Sequence, residues 1–320
     1  MVVLHRIVWI FALGVTVLST GAVCAQPYPN RPIRIVTSET GGGNDVQARL
    51  IAQAITVRLG QRIVVDNRAS GVIPGEIVSK ATPDGYTLLL YNNALWMGQL
   101  MQRTPYDATT DFAPIVWLSS VPNILIVNAT LPVNSVIELI TLAKAKPGEL
   151  NYASSGTGAS NHLAGELFKA MAGVDIVRIP YKGAALGLTD VIGGRVQLMF
   201  PTSVAATPYV KSGKVKALAV TSAEPSALAP TLPTIAAAGL PGYESIAIYG
   251  VFAPAKTPRP IIDKLNEEIV RILNAPDLKE KFFNIGMEPM GGSPERLAST
   301  MKSEMARMAK VLKRAGIRSD

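Results

Sequence analysis

PIRIVTSETGGGNDVQARLIAQAITVRLGQRIVVD, residues 32–66, reads as strand, glycine loop, helix and second strand. Pro32 to Thr37 has the apolar, β-branched content of a strand, and Gly41 to Gly43 makes a tight loop. Val46, Leu50, Ala54 and Val57 recur at helical spacing as one face, and Gly60 is placed to end the helix. Arg62 to Asp66 is the second strand. Two strands joined through a helix form a βαβ unit, the connection that parallel strands need.

The same cadence runs outward. After a loop broken by Gly and Pro and a short helix near Glu76, Tyr86 to Tyr91 is a nearly all-apolar third strand. Continuous apolar strands alternating with helices predict a parallel sheet covered on both faces, an α/β fold. Ser135 and Glu138 form a capping box for a helix reaching Lys144. Leu150 to Ala153 is a strand, followed by a Gly/Ser loop and a helix from Asn161 to Ala170. Strands return at Ile176 to Ile179, Val196 to Phe200 and Lys216 to Thr221. Ile124 to Val127 and Ile246 to Phe252 lie between the two units and read as the crossings that join them. This divides the chain into one lobe of residues 26–124 and 246–320 and another of residues 125–245, with a cleft between. Ile261 to Leu273 is an amphipathic helix. Ser293 and Pro294 open a last one, whose Leu297, Met301, Met305, Met308 and Leu312 read as a core-packing stripe rather than a recognition groove.

Arg6, the apolar run Ile7 to Val17 and the small residues ending at Val23-Cys24-Ala25 have the layout of a cleavable secretory signal over residues 1–25. The run is short for a membrane span of roughly 20 residues, and Gly21-Ala22-Val23 does not suit a lipoprotein site at Cys24. The expected location is the periplasm. Cleavage removes the only cysteine, so the exported chain has no disulfide or thiolate chemistry. Loss of Arg6 lowers the net charge from +8 to +7, and the remaining basic residues are dispersed without interleaved aromatics. Nucleic acid is therefore not an expected partner. A modest positive field suits capture of anions.

Two loops carry the candidate chemistry. Thr40-Gly41-Gly42-Gly43-Asn44-Asp45 lets backbone approach a ligand and points helix-terminal amides at it. Its bland alternative is a tight turn with Asn44 or Asp45 capping the helix. The loop is neither a Walker sequence nor a dinucleotide fingerprint. Ser154-Ser155-Gly156-Thr157-Gly158-Ala159-Ser160-Asn161 adds hydroxyls to amides, the alternative being Ser160 or Asn161 as a simple N-cap. His162 is the single histidine left after cleavage, two residues past Ser160, where it packs or caps more plausibly than it activates a serine. No nucleophile elbow or metal-ligand spacing is present. An exported two-lobed chain without a base, nucleophile or metal set, and with no cofactor implied, reads as a binder of small molecules.

At these residues the chain resembles the Bug/TctC substrate-binding proteins of tripartite tricarboxylate transporters. The resemblance spans residues 27–313. It rests on Gly42-Gly43-Asn44-Asp45 with Ala48-Arg49, Asp66-Asn67-Arg68, and Ala81-Thr82-Pro83-Asp84-Gly85-Tyr86-Thr87-Leu88. Pro105-Tyr106-Asp107, Tyr152-Ala153-Ser154-Ser155-Gly156-Thr157-Gly158 and His162-Leu163-Ala164-Gly165-Glu166-Leu167-Phe168 extend it. Pro180-Tyr181-Lys182-Gly183, Gly239-Leu240-Pro241-Gly242-Tyr243-Glu244 and Tyr249-Gly250-Val251 complete it. The resemblance implies a two-lobed type II periplasmic-binding-protein fold that closes on its ligand in Venus-flytrap fashion, membrane transporter subunits as partners, and a monomer. It implies organic acids, acidic amino acids or neutral amides as ligands. The implied ligand loops are Ser38, Glu39, Thr40, Gly41, Gly42 and Gly43, and Ser154, Ser155, Gly156, Thr157, Gly158 and Ser160. Asn92, Thr202, Ser203 and Tyr249 join them as further contacts.

Two stretches depart from the family pattern. Thr37-Ser38-Glu39-Thr40 replaces Pro-Phe-Ala-Pro, and a Glu39 carboxylate in the cleft would repel polycarboxylates and favour an amine or amide. Ala69 to Gly75 replaces a glycine-rich loop. Beside capture for a transporter stand two other readings: a partner presenting its ligand to a membrane receptor, and a degenerate secreted enzyme.

Overall fold

The unit read at residues 32–66 is present as β1 (Ile33–Thr37), α1 (Gly43–Leu59) and β2 (Ile63–Asn67), with β1 and β2 parallel. The structure is a computed structural model that describes residues 28–38, 40–69 and 71–314. The leader expected at residues 1–25, Glu39, and Ser70 of the departing loop all lie outside the described residues. α1 turns a different face inward from the one its spacing suggested. Ala48, Ile51, Ala52 and Ile55 are buried, whereas Val57 is 83% exposed. The sequence offers two apolar stripes a fraction of a turn apart, and the one with two alanines lets the helix lie closer to the sheet.

α2 (Ile73–Ser79) leads to β3 (Thr87–Asn92), parallel to β1. α3 (Ala94–Met97) continues as a single 3-10 turn, and β4 (Phe112–Pro122) closes this arm. These residues carry no strand in the sequence reading, and proline is uncommon in a central strand. Here Pro122 is the last strand residue, and Pro114 pairs beside an irregularity in the ladder.

The second lobe is built from β5 (Ile124–Asn128), α4 (Val136–Ala145), β6 (Asn151–Ser154), α5 (Ser160–Ala172) and β7 (Val177–Pro180). α6 (Ala184–Ile192), β8 (Leu198–Met199), α7 (Ser203–Lys211) and β9 (Val215–Val220) complete it. Ser135 caps α4 as its sequence predicted, accepting from the Glu138 amide at 3.1 Å while Glu138 reaches back to the Asn134 amide. The chain then returns through β10 (Ile246–Pro254), α8 (Arg259–Leu273), α9 (Pro276–Asn284), β11 (Glu288–Pro289) and α10 (Pro294–Arg314).

The strands form two sheets, ordered β11-β4-β10-β3-β1-β2 and β7-β6-β8-β5-β9. Neither is wholly parallel. β10 runs antiparallel to β3 and β4, and β5 antiparallel to β8 and β9. An unbroken apolar strand reports burial on both faces and carries no information about direction. Ile124 to Val127 and Ile246 to Phe252, expected as the crossings, are interior strands of different sheets that begin directly after the points where the chain changes sheet. The chain passes from one sheet to the other at Asn123 and back before β10 at Ser245, where backbone polar groups need partners. The Asn123 amide donates to Thr221 Oγ1 at 2.8 Å, the Thr221 amide to the Asn123 carbonyl at 2.9 Å, and the Ser245 amide to the Thr221 carbonyl at 2.8 Å.

In α10, Leu297, Met301, Met308 and Leu312 are buried and Met305 packs against the same cluster, so the methionine stripe is core. Leu163 of α5 enters that cluster, and Val311 also touches the core of the second lobe. Phe252 packs edge-on to Trp96 and near-edge-on to Phe112. Each such fully buried side chain contributes roughly 1.5–3 kcal/mol.

Candidate ligand-binding site

The first loop leaves the carboxyl end of β1. Ser38 is buried, and its Oγ accepts from Asn44 Nδ2 at 2.9 Å. Gly41 sits at φ +84°, where a side chain would be strained, and its amide donates to Asp45 Oδ2 at 2.8 Å. Asp45 Oδ1 accepts from Asn67 Nδ2 at 2.8 Å and from Arg49 Nε at 2.9 Å. Burial alone would raise the Asp45 carboxyl, but these hydrogen bonds and the Arg49 charge hold it below the usual carboxylate range. Asp45 thus braces the loop from inside the helix, and Gly42, at the N-cap of α1, offers no side-chain acceptor. A Cβ on Gly43 would lie 2.5 Å from the Tyr249 hydroxyl. Thr40 is exposed at the loop tip.

In the second loop much of the donor capacity is engaged internally. Ser154 Oγ accepts from Arg178 Nε at 2.7 Å and donates to the Ser155 carbonyl. The Ser155 amide and hydroxyl both donate to Asn161 Oδ1, at 3.1 and 2.9 Å. The Gly158 amide donates to His162 Nδ1 at 3.2 Å. Burial, then the charges of Arg178 and Lys169, pull the His162 pKa down to about 3, so it is a neutral acceptor. Its Nδ1 accepts from a backbone amide rather than from a serine hydroxyl, which is not the arrangement of an activated nucleophile. Ser160 is the first helical residue, not the cap; the N-cap is Ala159, without a side-chain bond. Gly156 is exposed, and Thr157 Oγ1 accepts from Arg178 at 3.5 Å.

The remaining expected contacts fall on both lobes. Asn92 Oδ1 accepts from the Ala94 amide at 3.1 Å, and Asn92 pairs with Tyr249 across β3 and β10. Tyr249 is buried, which raises its hydroxyl to about 12. Thr202 is the N-cap of α7 and bridges Asn123. Ser203 Oγ donates to the Gly286 carbonyl at 3.3 Å.

These positions form two clusters joined by a short path. Gly43, Tyr249 and Asn92 meet in the first lobe. Asn93 Nδ2 donates to the Ile246 carbonyl at 3.1 Å, and Ile246 pairs with Pro122 beside Asn123. Asn123 Oδ1 accepts from Ser160 Oγ at 3.4 Å, which brings in the second loop. Among the described residues, four buried polar atoms on or near this path have no partner: Asn44 Oδ1, Asn93 Oδ1, Ser120 Oγ and Asn123 Nδ2. Leaving such a group unsatisfied costs about 1–3 kcal/mol. α1, α5 and α7 all start without a side-chain cap, so their first-turn amides favour an anion.

The sequence reading missed Asn123, Arg178, Gly98 and Gly286. Asn123 had a signal, as a lone asparagine between two apolar strands, and so did Arg178, a charge inside a short strand. Gly98 and Gly286 had none, since their role is contact between lobes. A Cβ on Gly158 would lie 2.9 Å from Gly98 Cα, and one on Gly286 would lie 2.7 Å from Val204 Cγ2. A groove of about 390 Å³ opens along the second contact, lined by Ser203, Val204, Leu228, Phe283 and Gly286. Among the described residues no group of three or more His, Cys, Asp or Glu could hold a metal ion, and no helix is long and apolar enough to cross a membrane.

Comparison with known proteins accords with this geometry. The profile of the tripartite tricarboxylate transporter family receptor matches residues 47–317. An R. palustris protein solved with adipate is 40% identical, superposes with a TM-score of 0.85, and covers 92% of this chain and 100% of its own. The periplasmic binding protein BugD is 33% identical, with a TM-score of 0.82 over the same shares. MatC from Rhodopseudomonas palustris, with bound malate, is 29% identical, with a TM-score of 0.81 over 89% of this chain and 100% of its own. The chain belongs to the tripartite tricarboxylate transporter family of receptors, the Bug/TctC proteins, and has their two-lobed periplasmic-binding-protein fold.

Proposed function

We propose that this protein captures a small organic acid between its lobes in the periplasm and delivers it to a tripartite tricarboxylate-type membrane transporter. The reading is supported by buried polar atoms without a partner among the described residues, at Asn123 between the sheets and at Asn44, Asn93 and Ser120, together with the uncapped starts of α1, α5 and α7. Adipate and malate in two similar structures support a carboxylate as the ligand class. On this reading residues 26–124 with 246–320 form one lobe and residues 125–245 the other. Ser38 to Gly43 and Ser154 to Ser160 supply the ligand loops, with Asn92, Thr202, Ser203 and Tyr249 beside them. The exported form starts at Gln26, works as a monomer and turns over none of the acids it holds.

A thermal-shift panel of di- and tricarboxylates, aromatic acids, amino acids and amides tests this. An acid at about 100 times its dissociation constant adds roughly 2.7 kcal/mol to stability, a readily visible shift. A response to amines or amides alone would contradict the carboxylate reading and turn attention to Glu39.

A further inference from the structure

We infer that Arg178 is the positioning residue of the second loop, holding Ser154 to Thr157 in the shape through which that loop meets its ligand. The inference rests on the reading that this loop belongs to the ligand site.

Arg178 lies on β7, opposite Tyr152 of β6 in the parallel ladder, and its side chain runs toward the loop that leaves the carboxyl end of β6. Its planar fork serves three loop residues at once. Nε donates to Ser154 Oγ at 2.7 Å, Nη2 to the Ser155 carbonyl at 3.0 Å, and Nη1 to Thr157 Oγ1 at 3.5 Å. Among the described residues Arg178 makes no ion pair within 4.0 Å, so the hydrogen bonds of its fork go to the loop rather than to a carboxylate. Asn161 grips the same loop from the helix side through the Ser155 amide and hydroxyl. The loop is therefore fixed from the sheet by a cation and from α5 by an amide.

The fork also settles where hydroxyl protons go. By donating to Ser154 Oγ it leaves the Ser154 proton to the Ser155 carbonyl, 3.2 Å away. By donating to Thr157 Oγ1 it leaves the Thr157 proton available to a ligand acceptor. Lysine carries the same charge but lacks the fixed fork, so it cannot hold these three acceptors together.

The test compares Arg178→Lys and Arg178→Gln with the unaltered protein and with Arg195→Lys, whose exposed ion pair to Asp190 lies outside the loop. Two quantities are read: hydrogen exchange of peptides covering residues 154–161, and affinity for adipate. Both Arg178 variants are expected to exchange the loop amides about tenfold faster while β6 and β7 keep their protection. Adipate is expected to bind about tenfold more weakly to both, with Arg195→Lys unchanged. Unchanged loop exchange in both Arg178 variants overturns the inference. An equal rise across the whole second sheet overturns it too, since Arg178 would then support the fold rather than the loop. If the unaltered protein binds neither adipate nor malate, the carboxylate reading fails instead, and exchange alone decides the role of Arg178.

Discussion

Gly43 has no room for a side chain, because the Tyr249 hydroxyl sits 2.5 Å from where a Cβ would be. Gly43→Ala should displace either that hydroxyl or the first turn of α1 and weaken acid binding about tenfold. Tyr249→Phe in the same chain should recover part of the loss, and titration calorimetry on the two single variants and the double variant measures the coupling. Additive effects would mean the approach does not matter. Glu304 makes a second prediction. It is 8% exposed on α10 and accepts from Trp96 Nε1, with Arg307 at 3.9 Å and Glu244 nearby. Burial raises its carboxyl from 4.5 to about 7 against the pull of Arg307 and Trp96. The folded chain thus holds a proton that the unfolded chain releases. The associated stability is complete below about pH 4.5 and is lost as pH rises through about 7. Glu304→Gln should flatten that decline and stabilise the protein above pH 7 by up to about 3 kcal/mol. Chemical unfolding at pH 5 and pH 8 measures it, and an equal effect of the substitution at both values would contradict the assignment. At this scale the sequence made the glycine loops visible but not their remaining donors. Ser154 and Ser155 look available until Arg178 and Asn161, 24 and 6 residues away, are seen to engage them.

Between elements, Gly158 lies against Gly98, and Ser203 with Val204 against Gly286, beside the packing of α10 across the same seam. Gly286 has φ +71°, and a Cβ there would lie 2.7 Å from Val204 Cγ2, so Gly286→Ala meets both strain and collision. The lobes should then stay further apart, with a larger radius of gyration in the presence of ligand and affinity reduced about tenfold. Small-angle scattering beside titration measures both, and unaltered affinity would show that this contact is incidental to closure. Strands and helices were legible wherever burial imposed a period, as in β1, β3, β6 and α10. Direction was not, because β10 and β3 carry similar apolar runs yet lie antiparallel. β4, which contains prolines, was not read from the sequence, and the inward face of α1 was decided by how closely Ala48 and Ala52 let the helix approach.

In the whole molecule the two sheets meet at a small set of hydrogen bonds among Asn123, Thr221 and Ser245. Motion between lobes concentrates where few bonds cross, so this knot is the expected hinge. α10 spans the seam from behind, with Met301 and Leu312 in one core and Val311 touching the other, which limits how far the lobes can part on that side. Such a frame can close on a ligand while its sheets stay rigid. The proposed function requires one small acid to be held from both lobes at once. An amide-resolved nuclear magnetic resonance titration with adipate tests it most directly. The amides of residues 42–45 and 157–161 and the side-chain amide of Asn123 are expected to shift together and saturate at one ligand concentration. Shifts confined to a single lobe, or none at either loop while adipate demonstrably binds, would contradict it.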